Sequence, residues 1–302
     1  MSLGILLAVL AGLLYGILSL AYKYAERVKA RSAQFTFVLS LVAGIETLLK
    51  SFTEQSNWGE PLLWIAGTGM GIVIVAGIYV IMAANRLGPV YSAWTMVNVS
   101  FLFAIFLSAL LLGDKLVCSD PFNLLLFGLT LYLFVRGMRA GATKRRVRES
   151  VMHLLALLGV FVTNGLATFG SKLKYTFFAE ANTSAYATVF YFVSAFITMM
   201  LLLRHRRAPL ITKNELKAGA LGGLCISTAT ILFLSAMALP AAAVFTITQG
   251  MSLTSGVALT TLIGKERMNV WMVLGLIIGA IVLVAVVFRE RTAAWICGLA
   301  AL

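Results

Sequence analysis

The sequence predicts an all-α polytopic membrane protein with ten transmembrane helices in two inverted five-helix repeats. Three observations predict it. The first is composition: 61% of the 302 residues are hydrophobic and 12% are charged, against about 25% charged in a soluble domain. The mean hydropathy of +0.97 agrees. The second is the length of the apolar runs. Leu87 to Gly113 carries no charge over 27 residues, which at ~1.5 Å per residue crosses a bilayer core. The third is internal repetition at one ungapped offset of 151 residues. Pro89 falls on Pro240, Gly113 on Gly264 and Asn98 on Gln249. Elsewhere Leu6, Leu7 and Val9 meet Leu157, Leu158 and Val160, and Lys23-Tyr24 meets Lys174-Tyr175. Val38, Val42 and Thr47 meet Val189, Val193 and Thr198, and Gly71 meets Gly222. One identity means little in so apolar a chain, but one offset serving five segments, the fifth placing Gly128 on Gly279 and Val135 on Val286, marks two copies of a unit.

The spans follow in order. Span 1 covers Ser2 to Tyr22; it lacks the basic start of a signal peptide and matches a segment deep in the chain. Span 2, Ala33 to Lys50, holds Glu46, the one carboxylate well inside an apolar run, and four residues on is Lys50. That spacing pairs them on one face near the interface. Span 3, Leu62 to Asn85, contains Gly67 to Gly71 as GTGMG. No strand precedes it, so it reads as small residues for close helix approach and not as a nucleotide loop. Span 4 is the 27-residue run, and span 5 is Pro121 to Val135. Spans 6 and 7 are Val151 to Ser171 and Thr183 to Leu203. Ala218 to Gly264 is 47 uncharged residues, too long for one crossing, and Pro240 divides it into spans 8 and 9. Span 10 is Met268 to Phe288, with Gly275 and Gly279 in a GxxxG pattern. Residues 1–140 thus form the first repeat, 141–150 a basic linker, and 151–302 the second repeat with a short tail. Five spans per copy start the second copy on the opposite side, which makes the repeats inverted.

The net charge of +13 sits in short loops, so it does not indicate nucleic acid. The loops after spans 1, 3, 5, 7 and 9 hold 18 of the 24 Lys and Arg. The positive-inside rule places those loops in the cytoplasm and both termini outside. The expected setting is a bacterial cytoplasmic (inner) membrane, with anionic lipid headgroups against the basic face.

Inverted-repeat proteins bind substrate near the midplane where the copies meet. Tyr91, Trp94, Asn98 and Phe101 step by three and four along span 4 and share a face. Their counterparts on span 9 are Ala242, Phe245, Gln249 and Ser252. An amide in hydrocarbon costs a few kcal/mol unless bonded, so Asn98 and Gln249 face a cavity or a neighbouring helix. Span 1 offers Tyr15 and span 6 offers Asn164 near its middle. The candidate substrate-binding residues are therefore Tyr15, Tyr91, Trp94, Asn98, Asn164, Phe245, Gln249 and Ser252. Tyr22 reads as an interfacial belt residue, and His153, a few residues into span 6, as lying at the aqueous edge. The only histidines, His153 and His205, and three unpaired cysteines predict no metal and no cofactor. No charged residue sits mid-helix on spans 1, 3, 4, 6, 8 or 9, so the cavity suits a neutral or zwitterionic solute.

Spans 4 and 9 end Leu112-Gly113-Asp114-Lys115 and Ile263-Gly264-Lys265-Glu266. With the five-plus-five repeat, these ends resemble the ten-helix EamA-type branch of the drug/metabolite transporter superfamily over residues 3–288. That branch often has a proline about twelve residues before the glycine, where this chain has Phe101 and Ser252, and many members keep both termini in the cytoplasm. The resemblance implies a cavity lined by spans 1, 3, 4, 6, 8 and 9, spans 5 and 10 at the periphery, and alternating access. Its substrates range over amino acids, nucleotide sugars, sugar phosphates and drugs. The expected function is secondary transport of a small organic metabolite, not an enzymatic reaction. The alternative is a lipid or lipid-linked headgroup translocase on the same fold. An intramembrane enzyme lacks a placed histidine for Ser171, and a non-transporting scaffold would tolerate leucine at Asn98 and Gln249.

Overall fold

The computed structural model describes residues 3–54, 56–113, 144–177, 183–204, 211–236, 241–263 and 269–288, with part of 122–137 and Arg291. Among the described residues every regular element is a helix. These are α1 (Leu3–Arg27), α2 (Ser32–Thr53), α3 (Pro61–Leu87), α4 (Val90–Val99) and α5 (Phe101–Leu112). Then come α6 (Lys144–Phe177), α7 (Thr183–Arg204), α8 (Lys213–Ala236), α9 (Ala241–Leu262) and α10 (Val270–Val287). The described residues give seven helices long and apolar enough to cross a membrane, α4 and α5 together forming one such span, Val90–Leu112. Hydrocarbon offers the backbone no partner, so each span must satisfy its own amides as a helix. Outward faces carry apolar side chains such as Ile65, Leu110, Val270 and Leu203. The chain is an integral membrane protein.

Chain neighbours pack weakly, and the broad contacts join distant segments. α1 lies along α8 and α9, α2 along α7 and α8, and α3 along α6 and α7. α4 sits between α6 and α9, while α5 runs along α6 and α10 leans on α4 and α9. Small residues make the approaches close. A Cβ on Gly67 would lie 2.6 Å from Val189 Cγ1, and one on Gly71 2.7 Å from Val193 Cγ1 and 2.8 Å from the Phe190 carbonyl. On the other side, Cβ atoms on Gly219 and Gly223 would meet Val38 and Val42 at 2.6 and 2.8 Å. The α2–α7 seam between these contacts holds a buried hydrogen bond between Ser40 and Ser194, 2.7 Å.

One end of the bundle is tied across helices. α1 finishes in a Schellman-type turn with Lys29 left-handed at φ 51° and Ala30 N donating to Ala25 O at 2.8 Å. Arg31 follows and donates from Nε and Nη2 to Glu215 at 2.8 and 2.9 Å, and from its backbone N at 3.0 Å. The carboxylate hydrogen bond holds the guanidinium above its usual pKa. Glu215 also closes a capping box at the start of α8: Thr212 N donates to it at 2.9 Å, and its own N donates to Thr212 Oγ1 at 3.2 Å. Arg86 at the end of α3 donates to Ala30 O at 2.7 Å.

Several expectations need correction. Span 4 is not one rod: it breaks at Ser100 into α4 and α5. α6 begins at Lys144, so most of the expected linker is helical, its KRRVRES being rich in helix formers. Glu46 does not pair with Lys50, which meets Glu54 at 3.6 Å. Its carboxyl lies instead against the hydroxyls of Ser227 and Thr228 on α8, the latter at 2.6 Å. His153 is fully buried, with Nδ1 3.0 Å from Ala84 O and Nε2 3.0 Å from Ser92 Oγ. It fills the space over Gly88 where α3 gives way to α4. Tyr22 is buried too, its ring 5.3 Å from Phe35 and 6.3 Å from Trp94. Of the residues that end spans 4 and 9, Asp114, Lys115, Gly264, Lys265 and Glu266 lie outside the described residues.

The glycine contacts give a paired test. Gly71→Ala forces a Cβ against backbone and lowers stability by ~1–3 kcal/mol, the usual overpacking range. Gly69, whose Cβ would meet nothing within 4 Å, tolerates alanine and gains up to ~1 kcal/mol of helix propensity. Thermal unfolding of the two purified variants in detergent separates them; equal melting points would refute the contact.

Candidate functional site

Between α1, α3, α4, α6, α7, α8 and α9 lies a cavity of about 170 Å³. None of its lining residues is Asp, Glu, Lys, Arg or His. One wall is hydroxylic: Tyr15 of α1 and Tyr191 of α7 each meet Thr230 Oγ1 of α8 at 3.2 Å. A second wall is aromatic. Tyr186, Phe190 and Tyr191 pack in turn along α7, the first pair edge-to-face and the second tilted, with ring centroids 5.3 and 4.4 Å apart. Tyr22 and Trp94 also line the cavity. Trp94 reaches across to α9, its indole N–H donating to Ser252 O at 3.1 Å. Gly256 allows this, since a Cβ there would stand 2.4 Å from the indole.

The polar lining residues differ in what they leave unbonded. Thr163, Thr168 and Ser171 donate to carbonyls of their own helix, Gly159, Asn164 and Ala167. Asn164 instead crosses to span 4. Its Nδ2 donates to Val97 O at 2.8 Å and to Ser100 Oγ at 2.6 Å. Ser100 Oγ in turn donates to Val97 O at 2.6 Å, so the break between α4 and α5 is held from α6. Gly165 lets the two backbones meet there: a Cβ would be 2.7 Å from Ser100 O. Gln249 lines the cavity.

The structure therefore brings together Tyr15, Trp94, Asn164, Gln249 and Ser252 on one cavity wall system. It places two other candidates elsewhere. Tyr91 is fully buried and its hydroxyl donates to Met272 Sδ of α10 at 2.5 Å, away from the cavity. Asn98 is fully buried and donates back to Trp94 O at 2.7 Å, while its Oδ1 has no hydrogen-bond partner among the described residues. The side chain of Phe245 lies outside the described residues. Sequence reasoning missed the contribution of α7. The signal was present as Tyr186, Phe190 and Tyr191, which step by four and one along span 7 and share a sector of the helix.

The Asn164 bridge generates a stability prediction. Asn164→Leu removes two hydrogen bonds inside the bundle and lowers stability by ~1–3 kcal/mol, at ~0.5–1.5 kcal/mol for each. A chemical or thermal melt unchanged from wild type would show that the bridge does not hold the break.

Comparison with known proteins adds three findings. No curated protein matches the sequence. One solved crystal structure aligns over 95% of this chain and 98% of its own with a TM-score of 0.64, a likeness of fold at 17% sequence identity. Residues 2–136 match the model of the EamA-like transporter family, which supports the drug/metabolite transporter superfamily and membrane transport of small molecules.

Proposed function

We propose that this protein is a secondary transporter of a small neutral or zwitterionic metabolite, working by alternating access through the cavity between two inverted five-helix repeats. The observation that carries the reading is the cavity itself: central, uncharged and walled by hydroxyl, amide and aromatic groups. Its volume of about 170 Å³ is below the ~300–1,000 Å³ of drug-sized sites. That favours a solute of amino-acid size. Aromatic faces and hydroxyls accept the apolar part and orient the polar ends. The substrate-binding set is Tyr15, Trp94, Asn164, Gln249 and Ser252, joined by Tyr22, Tyr191 and Thr230.

The repeat reading is supported by how the contacts exchange under the 151-residue offset. α1 on α8 and α9 becomes α6 on α3 and span 4. Val189 and Val193 of α7 against the glycines of α3 become Val38 and Val42 of α2 against glycines of α8, where the contacted Gly219 and Gly223 stand one residue beyond the offset positions of Gly67 and Gly71. The seams that map onto themselves, α2–α7 and α4–α9, then flank the pseudo-two-fold axis. In this reading the ties at Arg31, Glu215, Arg86 and His153 hold one mouth shut while the solute enters by the other. The basic loops at that mouth face the cytoplasm and its anionic lipid headgroups, with both termini outside.

The second reading, translocation of a lipid headgroup, draws on one feature. An apolar cleft of about 370 Å³, lined by Trp58, Trp64, Phe192 and Phe196 among others, opens on the outer flank of α2 and α7. It suits an acyl chain.

Thermal unfolding against amino acids, nucleosides, sugars, polyamines and lipid headgroups tests both. A ligand at a hundred times its Kd adds ~2.7 kcal/mol of apparent stability. The expected hit is a neutral or zwitterionic solute whose effect disappears in Gln249→Ala while the ligand-free melt stays near wild type. A hit untouched by Gln249→Ala moves the site out of the cavity, and a response to lipid headgroups alone favours the second reading.

A further inference from the structure

Glu46 stands apart from every other carboxylate described in this protein. It lies within about one helical turn of the middle of α2, and Ser227 and Thr228 lie within about one turn of the middle of α8. Its carboxyl is therefore at hydrocarbon depth, where an ionised group needs a cation or a full set of donors. No cation pairs with it among the described residues: Lys50, one turn along, is taken by Glu54. The titratable groups facing it from neighbouring helices are Tyr191 of α7 and Cys225 of α8, with Tyr15 and Tyr22 of α1 behind Tyr191. The one charged residue of α3 is Arg86, at the opposite end of the bundle. None of these brings positive charge to Glu46.

The hydrogens can then be counted. Thr228 donates its hydroxyl to Glu46 Oε1 at 2.6 Å. Ser227 Oγ makes two short contacts, with Glu46 Oε2 and with its own helix carbonyl Gly223 O at 2.7 Å, and a longer one with Leu224 O at 3.4 Å. A serine hydroxyl has one proton to give. If Glu46 is ionised, one of those two contacts sets acceptor against acceptor with nothing between. If Glu46 carries a proton on Oε2, it donates to Ser227 Oγ, Ser227 donates to Gly223 O, and every oxygen has its partner. The arrangement fits a carboxylic acid and misfits a carboxylate.

We infer that Glu46 is a proton-coupling site: it holds a proton while α2 and α8 are packed as here and yields it to cavity water when they part. In that step the carboxyl O–H bond breaks, its electron pair stays on oxygen, and the proton passes to water; nothing is oxidised or reduced. The cavity is close by. Ile226 and Thr230 flank the Ser227-Thr228 pair on α8 and line its wall, so any movement of α8 that reshapes the solute site also disturbs the partners of Glu46. The protonation half of the inference stands on the hydrogen-bond geometry; the coupling half rests on the transport reading.

Infrared difference spectroscopy of the full chain in lipid nanodiscs, wild type minus Glu46→Gln at neutral pH, tests the first half. The expected result is the carbonyl stretch of a protonated carboxylic acid, lost in the variant. Thr228→Val keeps the side-chain shape, removes the hydroxyl donated to Oε1, and shifts the same band to higher frequency. A carboxylate band alone at neutral pH, or a band indifferent to Thr228→Val, overturns the inference. For the second half, proteoliposomes containing a pH-sensitive dye receive imposed gradients of individual L-amino acids, nucleosides and hexoses. The expected result is solute-driven pH change in wild type and solute movement with loss of the pH change in Glu46→Gln. Solute movement without pH change in wild type overturns coupling and leaves transport standing. Wild type that moves none of these solutes overturns the transport reading, whatever the infrared spectrum shows.

Discussion

The constraint on which this structure depends is that hydrocarbon gives polar groups no partner. Every amide, hydroxyl and carboxyl placed within a span must be satisfied by its own helix, by another helix or by a water-filled space. Most described polar residues divide along those lines, with Asn85, Asn98 Oδ1 and Ser108 among the buried exceptions within the spans. Thr36, Thr47, Thr95 and Thr198 turn back onto carbonyls of their own helices. Ser40, Asn164 and Glu46 join helices distant in sequence. Gln249 and the Tyr15–Thr230–Tyr191 cluster border the cavity. The packing seams and the site are two outcomes of one requirement.

Much of this was legible in the sequence, because spans are long runs and the polar residues within them are few. The glycines of GTGMG and the mid-span Tyr15, Trp94, Asn164, Gln249 and Ser252 stand out without any coordinates. What was not legible is helical phase. With ~100° per residue, Tyr91 and Asn98 lie about 40–60° to one side of Trp94, and Val97 lies about 60° to the other. The cavity is on the Val97 side. A grouping by steps of three and four cannot choose between those sides. The choice is made by neighbours: Met272 of α10 receives the Tyr91 hydroxyl. Likewise the depth of Glu46 depends on where α2 begins and ends, and the further three residues of α2 beyond Lys50, just under one turn, move the residue inwards.

The break at Ser100 shows how one geometry can have different causes. In the transporter branch this chain resembles, a proline often occupies the position of Phe101, and a proline there lacks the N–H that would reach Val97 O. Here the chain keeps an ordinary backbone and the carbonyl is taken by Asn164 from another helix. A proline break is fixed within its own helix. This one exists only while α4 and α6 remain in register, so the shape of span 4 follows the position of α6.

The weak packing between chain neighbours bears on how the protein is made. A polypeptide enters the membrane N-terminus first, so α1, α2 and α3 are threaded before α6 to α9 exist. Their contact faces are built for those later helices: Ser40 awaits Ser194, Glu46 awaits α8, and Gly71 awaits the Phe190 backbone. During synthesis the early helices sit beside lipid with those faces uncovered. Assembly is thus a late event in the life of the nascent chain, and a ribosome that stalls between the two halves leaves a product with polar seams open to the bilayer, the form that membrane quality control is built to find.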